Sequence, residues 1–326
     1  MSTEYEQSPQ AVSKSLDSHA GYARTFRPGK LSFGFLSPLE GYPTRPRPTL
    51  QEHEQRARSV DQAGFAAIWL RDVLFYDPGF GDTGQMLDPF VYLGFLAAVT
   101  TNVALGTAGI VSPLRESMHI AKQAASVDVL SNGRLLLGMA SGDRPVEYPA
   151  LNVDYDSRAS RFQESFDVVR RLTEVDFPHL ETRHSGRLDG TLDMLPKATS
   201  RIPLLVVGRA QQSLEWIAGN ADAWISYVSN MEGIARALLQ WKQACDGDVK
   251  PYGYGTFFDM DAAPDAPVRL DHGVLRGGRH RLVELWKQQE SLGVSHVALN
   301  LKPMRRPFHS VMAELADHVL PHFPSA

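Results

Sequence analysis

Short, unbroken apolar runs alternate along this chain with segments whose apolar residues return every three or four positions. Leu31 to Ser37 is the first run, and Leu50, Ala57, Val60 and Gly64 mark the helix face that follows it. Further runs at Ala66 to Leu70, Val103 to Val111, Arg134 to Met139, Leu204 to Val207, Ala223 to Val228, Tyr252 to Phe258 and Val294 to Leu299 predict strands. Between them, helical spacing links Ile120, Ala124 and Val127, and also Phe162, Phe166, Val169 and Leu172. Helices are likewise predicted over 212–218, 231–244 and 279–292, and Phe308, Met312, Leu315 and Val319 mark a last one. Asp88-Pro89 reads as a helix start, with Asp as cap and Pro in the first turn.

Eight strand–helix units result. Strands that are apolar throughout are buried on both faces, which implies parallel pairing. Eight parallel units predict a (β/α)8 TIM barrel over residues 31–326, with a doubly wound open sheet as the competing arrangement. Residues 1–30 are polar and aperiodic and read as a mobile or surface-hugging extension, so deleting 1–25 is expected to leave folding nearly intact. Two connections are too long for plain loops. The 177–201 connection carries a turn at His184-Ser185-Gly186, suggesting a small hairpin; the 259–278 connection follows strand seven and is a lid candidate.

Composition removes whole classes of function. With 43% hydrophobic residues and 33 basic against 37 acidic, the chain is globular and lacks the basic excess of a nucleic-acid binder. The single cysteine, Cys245, allows no internal disulfide and no cysteine-rich metal site. The longest uncharged apolar stretch, Phe90 to Val99, is half of what a membrane span of about 20 residues needs. MSTEYEQSPQ has neither the basic start nor the apolar core of a signal peptide, so a cytoplasmic location is expected.

In a barrel, chemistry belongs to the loops that follow the strands. After strand two comes Arg71-Asp72; after strand four, Ser141-Gly142-Asp143-Arg144; after strand five, Gly208-Arg209-Ala210-Gln211-Gln212-Ser213. The last two combine glycine, hydroxyl, amide and guanidinium groups ahead of a helix N-terminus, a pattern suited to an anion. Ordinary turn chemistry, glycine plus a serine cap, accounts for the same residues. His179 and His184, or His309, His318 and His322, do not make a metal site. No G-x-S-x-G elbow, P-loop or G-x-G-x-x-G pattern is present.

The stretch LGTAGIVSPLRESMHIAKQAASVDVLSNGRLLLGMASGD, residues 105–143, resembles the signature region of the bacterial luciferase-like flavin monooxygenases. Asp128, Leu130, Ser131, Gly133, Arg134 and Gly138 match its pattern; GFAAIWLRD (64–72) and VVGRAQQSLEW (206–216) match its second and fifth strands. Within the family, RDVLFYDPGFGDTGQMLDPFVYLGF and SGDRPVEYP look like an oxidoreductase subgroup distinct from luciferase itself. The resemblance implies a flavin at the C-terminal ends of the strands. By position, its phosphate falls to Ser141, Arg144, Gly208, Arg209, Gln211, Gln212 and Ser213, and its ring to Ala108 and Gly109, whose peptide bond is expected to be cis.

The family's acidic residue and histidine after strand two are replaced by Arg71 and Asp72, the candidates for a polar catalytic role or for a structural ion pair. Ser141 stands at the family's phosphate-binding arginine, with Arg144 as the candidate substitute. Phe35, Trp69, Trp224, Tyr227 and Phe257 are candidates for a pocket wall or for interior packing. The resemblance thus implies a monooxygenase using reduced FMN from a separate flavin reductase and O2 on a small organic substrate, acting as a homodimer. A deazaflavin-dependent hydride-transfer enzyme and a non-catalytic flavin-binding subunit are the alternatives.

Overall fold

The computed structural model describes residues 15–198, 200–228 and 230–324. Eight parallel strands form the barrel: β1 Ser32–Leu36, β2 Ala67–Leu70, β3 Ala104–Thr107, β4 Leu135–Ala140, β5 Leu204–Val207, β6 Ala223–Tyr227, β7 Tyr252–Met260 and β8 His296–Asn300. They are hydrogen-bonded in that order, and β8 closes on β1 with Gly34 opposite Ala298. Helices α1 His53–Gln62, α2 Pro89–Val99, α3 Ser117–Leu130, α4 Arg158–Glu174, α5 Leu214–Asn220, α6 Met231–Ala244, α7 Arg279–Leu292 and α8 Phe308–His318 follow the strands in turn. The caps at Asp88 and Ser213 form as the sequence predicts: Asp88 accepts from the Phe90 and Val91 amides, and Ser213 from that of Trp216.

Side chains alternate between the two faces of each strand. One set, including Leu36, Trp69, Leu136, Leu205, Ile225 and Ala298, fills the lumen. The other, including Phe35, Ile68, Leu137, Val206 and Trp224, packs outward under the helices. Trp69 occupies the lumen against Gly106, where any Cβ would overlap its ring.

The Trp69 indole N–H donates to His296 Nε2 at 2.9 Å. That nitrogen is therefore an acceptor, and the ring proton sits on Nδ1, 2.7 Å from Ser32 Oγ. The Ser32 hydroxyl in turn donates to the Thr25 carbonyl at 2.7 Å. Burial without an acidic partner pushes the His296 pKa down to about 3.

An unfolded histidine titrates near about 6.5. Below that pH the unfolded chain takes up a proton that the folded lumen refuses. The stability contributed by neutral His296 is thus intact above about pH 6.5 and declines as pH falls toward 3. Between pH 6.5 and 4.5 the native protein is expected to lose about 2 kcal/mol more than His296→Gln, measured by urea unfolding. Parallel pH profiles for the two proteins would contradict a neutral His296.

Residues 15–30 are not a loose extension. A six-residue helix, Ala20–Thr25, crosses the N-terminal end of the barrel. His19 is fully buried, its Nδ1 accepting from the Tyr22 amide and its Nε2 3.0 Å from Asp128 Oδ1. The Tyr22 hydroxyl donates to the Asp222 carbonyl and Arg24 to that of Phe65. Phe26 enters the luminal cluster. This packing argues against the expectation that residues up to 25 are dispensable; residues 1–14 lie outside the described residues.

The Asp128–Arg134 turn belongs to this same end. Arg134 is buried, and its guanidinium donates to the carbonyls of Ser131, Val103, Ala97 and Thr100 and to the Thr100 hydroxyl. Several of these acceptors cluster at the C-terminus of α2, where carbonyl dipoles favour a cation.

The predicted hairpin in the 177–201 connection forms, with His179–Glu181 antiparallel to Arg187–Asp189. The 259–278 connection is a sheet extension: Arg269–Asp271 pairs with Val274–Gly277, which runs parallel to Phe257–Met260 of β7. No helix among the described residues is long and apolar enough to cross a membrane.

Candidate active site

Arg71 and Asp72 directly follow β2, and they turn to different partners instead of pairing with each other. Arg71 pairs with Asp82, whose second oxygen lies 3.4 Å from the Tyr42 hydroxyl. Burial opposes both charges of this pair; mutual attraction outweighs it, raising the Arg71 pKa and lowering that of Asp82. Burial beside Asp82 pushes Tyr42 up to about 12.

Asp72 turns toward β3. It receives two hydrogen bonds from Arg115, at 2.7 and 2.8 Å, and one from the Val111 amide at 3.0 Å. Arg115 also bonds Asp88 at 2.8 Å. This is a closed bridge between the loops after β2 and β3. A cavity of about 210 Å³ opens beside it, lined by Asp72, Leu74, Asp88, Val111, Leu114 and Arg115. Glu147, from the short helix Glu147–Ala150 after β4, completes the wall.

The 71–88 segment spans the mouth of the barrel. Arg144 donates to the Asp82 carbonyl at 2.8 Å and to that of Phe75 at 3.3 Å, and its guanidinium lies 4.1 Å over the Phe80 ring. Lys302, beyond β8, donates to the Gly81 carbonyl. Loops after β1, β4 and β8 therefore all grip this one segment. Arg144 is committed to these contacts, and Ser141 is fixed by its carbonyl, which accepts from the Tyr148 hydroxyl.

The β5 loop differs. Gly208, Ala210 and Gln211 all have positive φ, at 67°, 45° and 62°. A Cβ on Gly208 would meet nothing within 4 Å, so open space adjoins the backbone there. Gln212 is buried and spends its amide on Gln163, Ala159 and Ala210. Arg209 is exposed; its carbonyl accepts from the Gln212 amide at 2.7 Å, while its guanidinium makes no ion pair or hydrogen bond with a described residue. The Gln211 side-chain oxygen Oε1 accepts from Arg158 at 3.3 Å, while Arg158 Nε is buried without an acceptor.

The profile of the luciferase-like monooxygenases matches residues 31–247. The chain belongs to the luciferase-like monooxygenase family. It is 30% identical to 4-hydroxyprotoasukamycin monooxygenase of Streptomyces nodosus subsp. asukaensis over 54% of this chain and 47% of that enzyme. It is also 30% identical to the oxygenase component of the flavin-dependent trigonelline monooxygenase of Acinetobacter baylyi, over 41% of this chain and 37% of the relative. An F420-dependent hydroxymycolic acid dehydrogenase of Mycobacterium tuberculosis is 27% identical over 60% of this chain and 55% of its own. The aligned regions thus span about half or less of these relatives. Monooxygenase RslO1 of Streptomyces bottropensis superposes with a TM-score of 0.75 at 20% identity, covering 90% of this chain and 100% of that one. The fold is that of the luciferase-like barrels.

One family-based expectation changes in this luciferase-like chain. The Ala108–Gly109 bond is trans; the cis bonds among the described residues precede Pro38 and Pro196. Gly109 is explained by packing, since a Cβ there would lie 2.8 Å from Ala140 Cβ and 3.0 Å from Val207 Cβ. Of the five aromatic candidates, Phe35 and Trp224 face the outer core and Trp69 fills the lumen. Tyr227 and Phe257 share the luminal parity and meet at 6.0 Å. Two residues with a claim on the site carried no signal in the sequence pattern: Arg158, at the start of α4, and Glu147.

Proposed function

We propose that this chain is the oxygenase component of a two-component flavin monooxygenase, acting on a small organic substrate with O2 and with reduced FMN supplied by a separate reductase. The observation that carries this proposal is the β5 loop. A buried Arg158 N–H without an acceptor, an unengaged Arg209 guanidinium and an open backbone at Gly208 fit a phosphate monoester. Reduced FMN, when bound, supplies the two electrons that activate O2.

The protein's own residues hold and shield. Arg158 and Arg209 bind the phosphate, with Gln211 and Ser213 shaping the turn between them. Ala108 and Gly109 end β3 without bulk. Arg144 and Lys302 pin the 71–88 segment over the mouth, so water is kept from the reacting groups. Arg71 and Asp72 act by positioning, one holding Asp82 beneath the segment and the other holding Arg115. Exposed Val91 and Phe95 on α2 are the apolar surface for the expected homodimer.

Arg209→Ala should weaken FMN about tenfold or more while leaving riboflavin nearly unchanged, because only FMN carries the phosphate and a charge-assisted hydrogen bond is worth about 1.5–3 kcal/mol. Fluorescence titration with both ligands checks this. Equal weakening of the two would remove the phosphate from this loop.

A further inference from the structure

We propose that the cavity between the β2 and β3 loops binds a compact amine, with Glu147 accepting from its ammonium group and Leu74, Val111 and Leu114 enclosing its apolar body. Calling this ligand the substrate rests on the flavin-oxygenase proposal; the binding site itself does not.

Most polar groups in the cavity are already satisfied. Asp72 is saturated by Arg115 and the Val111 amide, and Asp88 caps α2 while sharing Arg115. Glu147 is different. Its side chain is 6% exposed, and Oε1 is buried with no hydrogen-bond partner. The nearest cation, Arg144, stands 3.9 Å away, beyond hydrogen-bonding distance, with donors already given to the Phe75 and Asp82 carbonyls. A buried acceptor left in this state is costly, and a donor entering the cavity removes that cost.

Charge then selects the donor. Asp72, Asp88 and Glu147 line the cavity with one guanidinium, Arg115, and Arg144 stands behind Glu147. Three carboxylates facing two guanidiniums favour a cation over an anion. Burial raises the Glu147 pKa, Arg144 and the Phe75 backbone N–H oppose the rise, and the charges of Asp72 and Asp143 add to it, while Oε1 keeps no donor of its own. A bound ammonium stabilises the carboxylate, so amine affinity is expected to fall as pH is lowered and Glu147 takes up a proton.

The test uses the full chain, with and without saturating FMN, and three probes of one shape: benzylamine, benzyl alcohol and benzoate. Calorimetry on the native protein should show benzylamine binding at least tenfold tighter than benzoate, a result that needs no variant to fold. Glu147→Gln should weaken benzylamine about tenfold or more and shift benzyl alcohol less than threefold. Leu114→Trp, which fills the cavity, should abolish binding of both. Benzoate binding as tightly as benzylamine, no binding of any probe, or an unchanged benzylamine affinity in Glu147→Gln would each overturn the proposal. Failure of FMN binding with benzylamine binding intact would count against the flavin reading alone.

Discussion

Arg134→Met should cost about 3–5 kcal/mol of folding stability, measured by urea unfolding with an unchanged denaturant slope. Methionine keeps much of the volume but none of the donors. Five acceptors around the buried guanidinium, four of them backbone carbonyls, would lose their partner in a place water does not reach. Arg134→Lys should recover little, because three donors on one nitrogen do not reproduce a planar five-donor fork. A loss below about 1 kcal/mol in Arg134→Met would mean these carbonyls find other donors.

Deleting residues 1–26 should be comparably severe. The deletion removes Phe26 from the lumen, uncovers the Trp69–His296–Ser32 chain, and leaves Asp128 buried without His19. Loss of a buried aromatic alone costs about 3–5 kcal/mol. The truncated chain is expected to unfold at far lower urea or to accumulate insoluble, and Phe26→Ala should show a smaller loss of the same sign. A truncated protein as stable as the full chain would show that the barrel seals its own floor.

What could be seen in the sequence follows from this physics. Barrel strands are buried on both faces, so each reads as an unbroken apolar run, and all eight were visible. Asp88 and Ser213 act through residues two or three positions away, and local chemistry of that kind is legible. The N-terminal helix is six residues long, with too few turns to display a period; its only trace is the Tyr22 and Phe26 spacing, whose rings stand 5.3 Å apart. Arg71 and Asp72 look like a pair because they are neighbours, yet they turn to Asp82 and Arg115, 11 and 43 residues on. Arg144 reads as a phosphate ligand from its place after β4, whereas its donors go to the Phe75 and Asp82 carbonyls of the 71–88 segment, 69 and 62 residues away in sequence. The Asp128–Arg134 motif, which carried the family resemblance, holds the floor of the barrel together at the end opposite the site.

On the reading proposed above, this luciferase-like barrel works with FMN. Relatives in the family use flavin or F420, so the direct test is to titrate the full chain separately with FMN and with coenzyme F420, following quenching of each cofactor's fluorescence. FMN should bind saturably and markedly more tightly than F420. Saturable binding of F420 with none of FMN would contradict that reading.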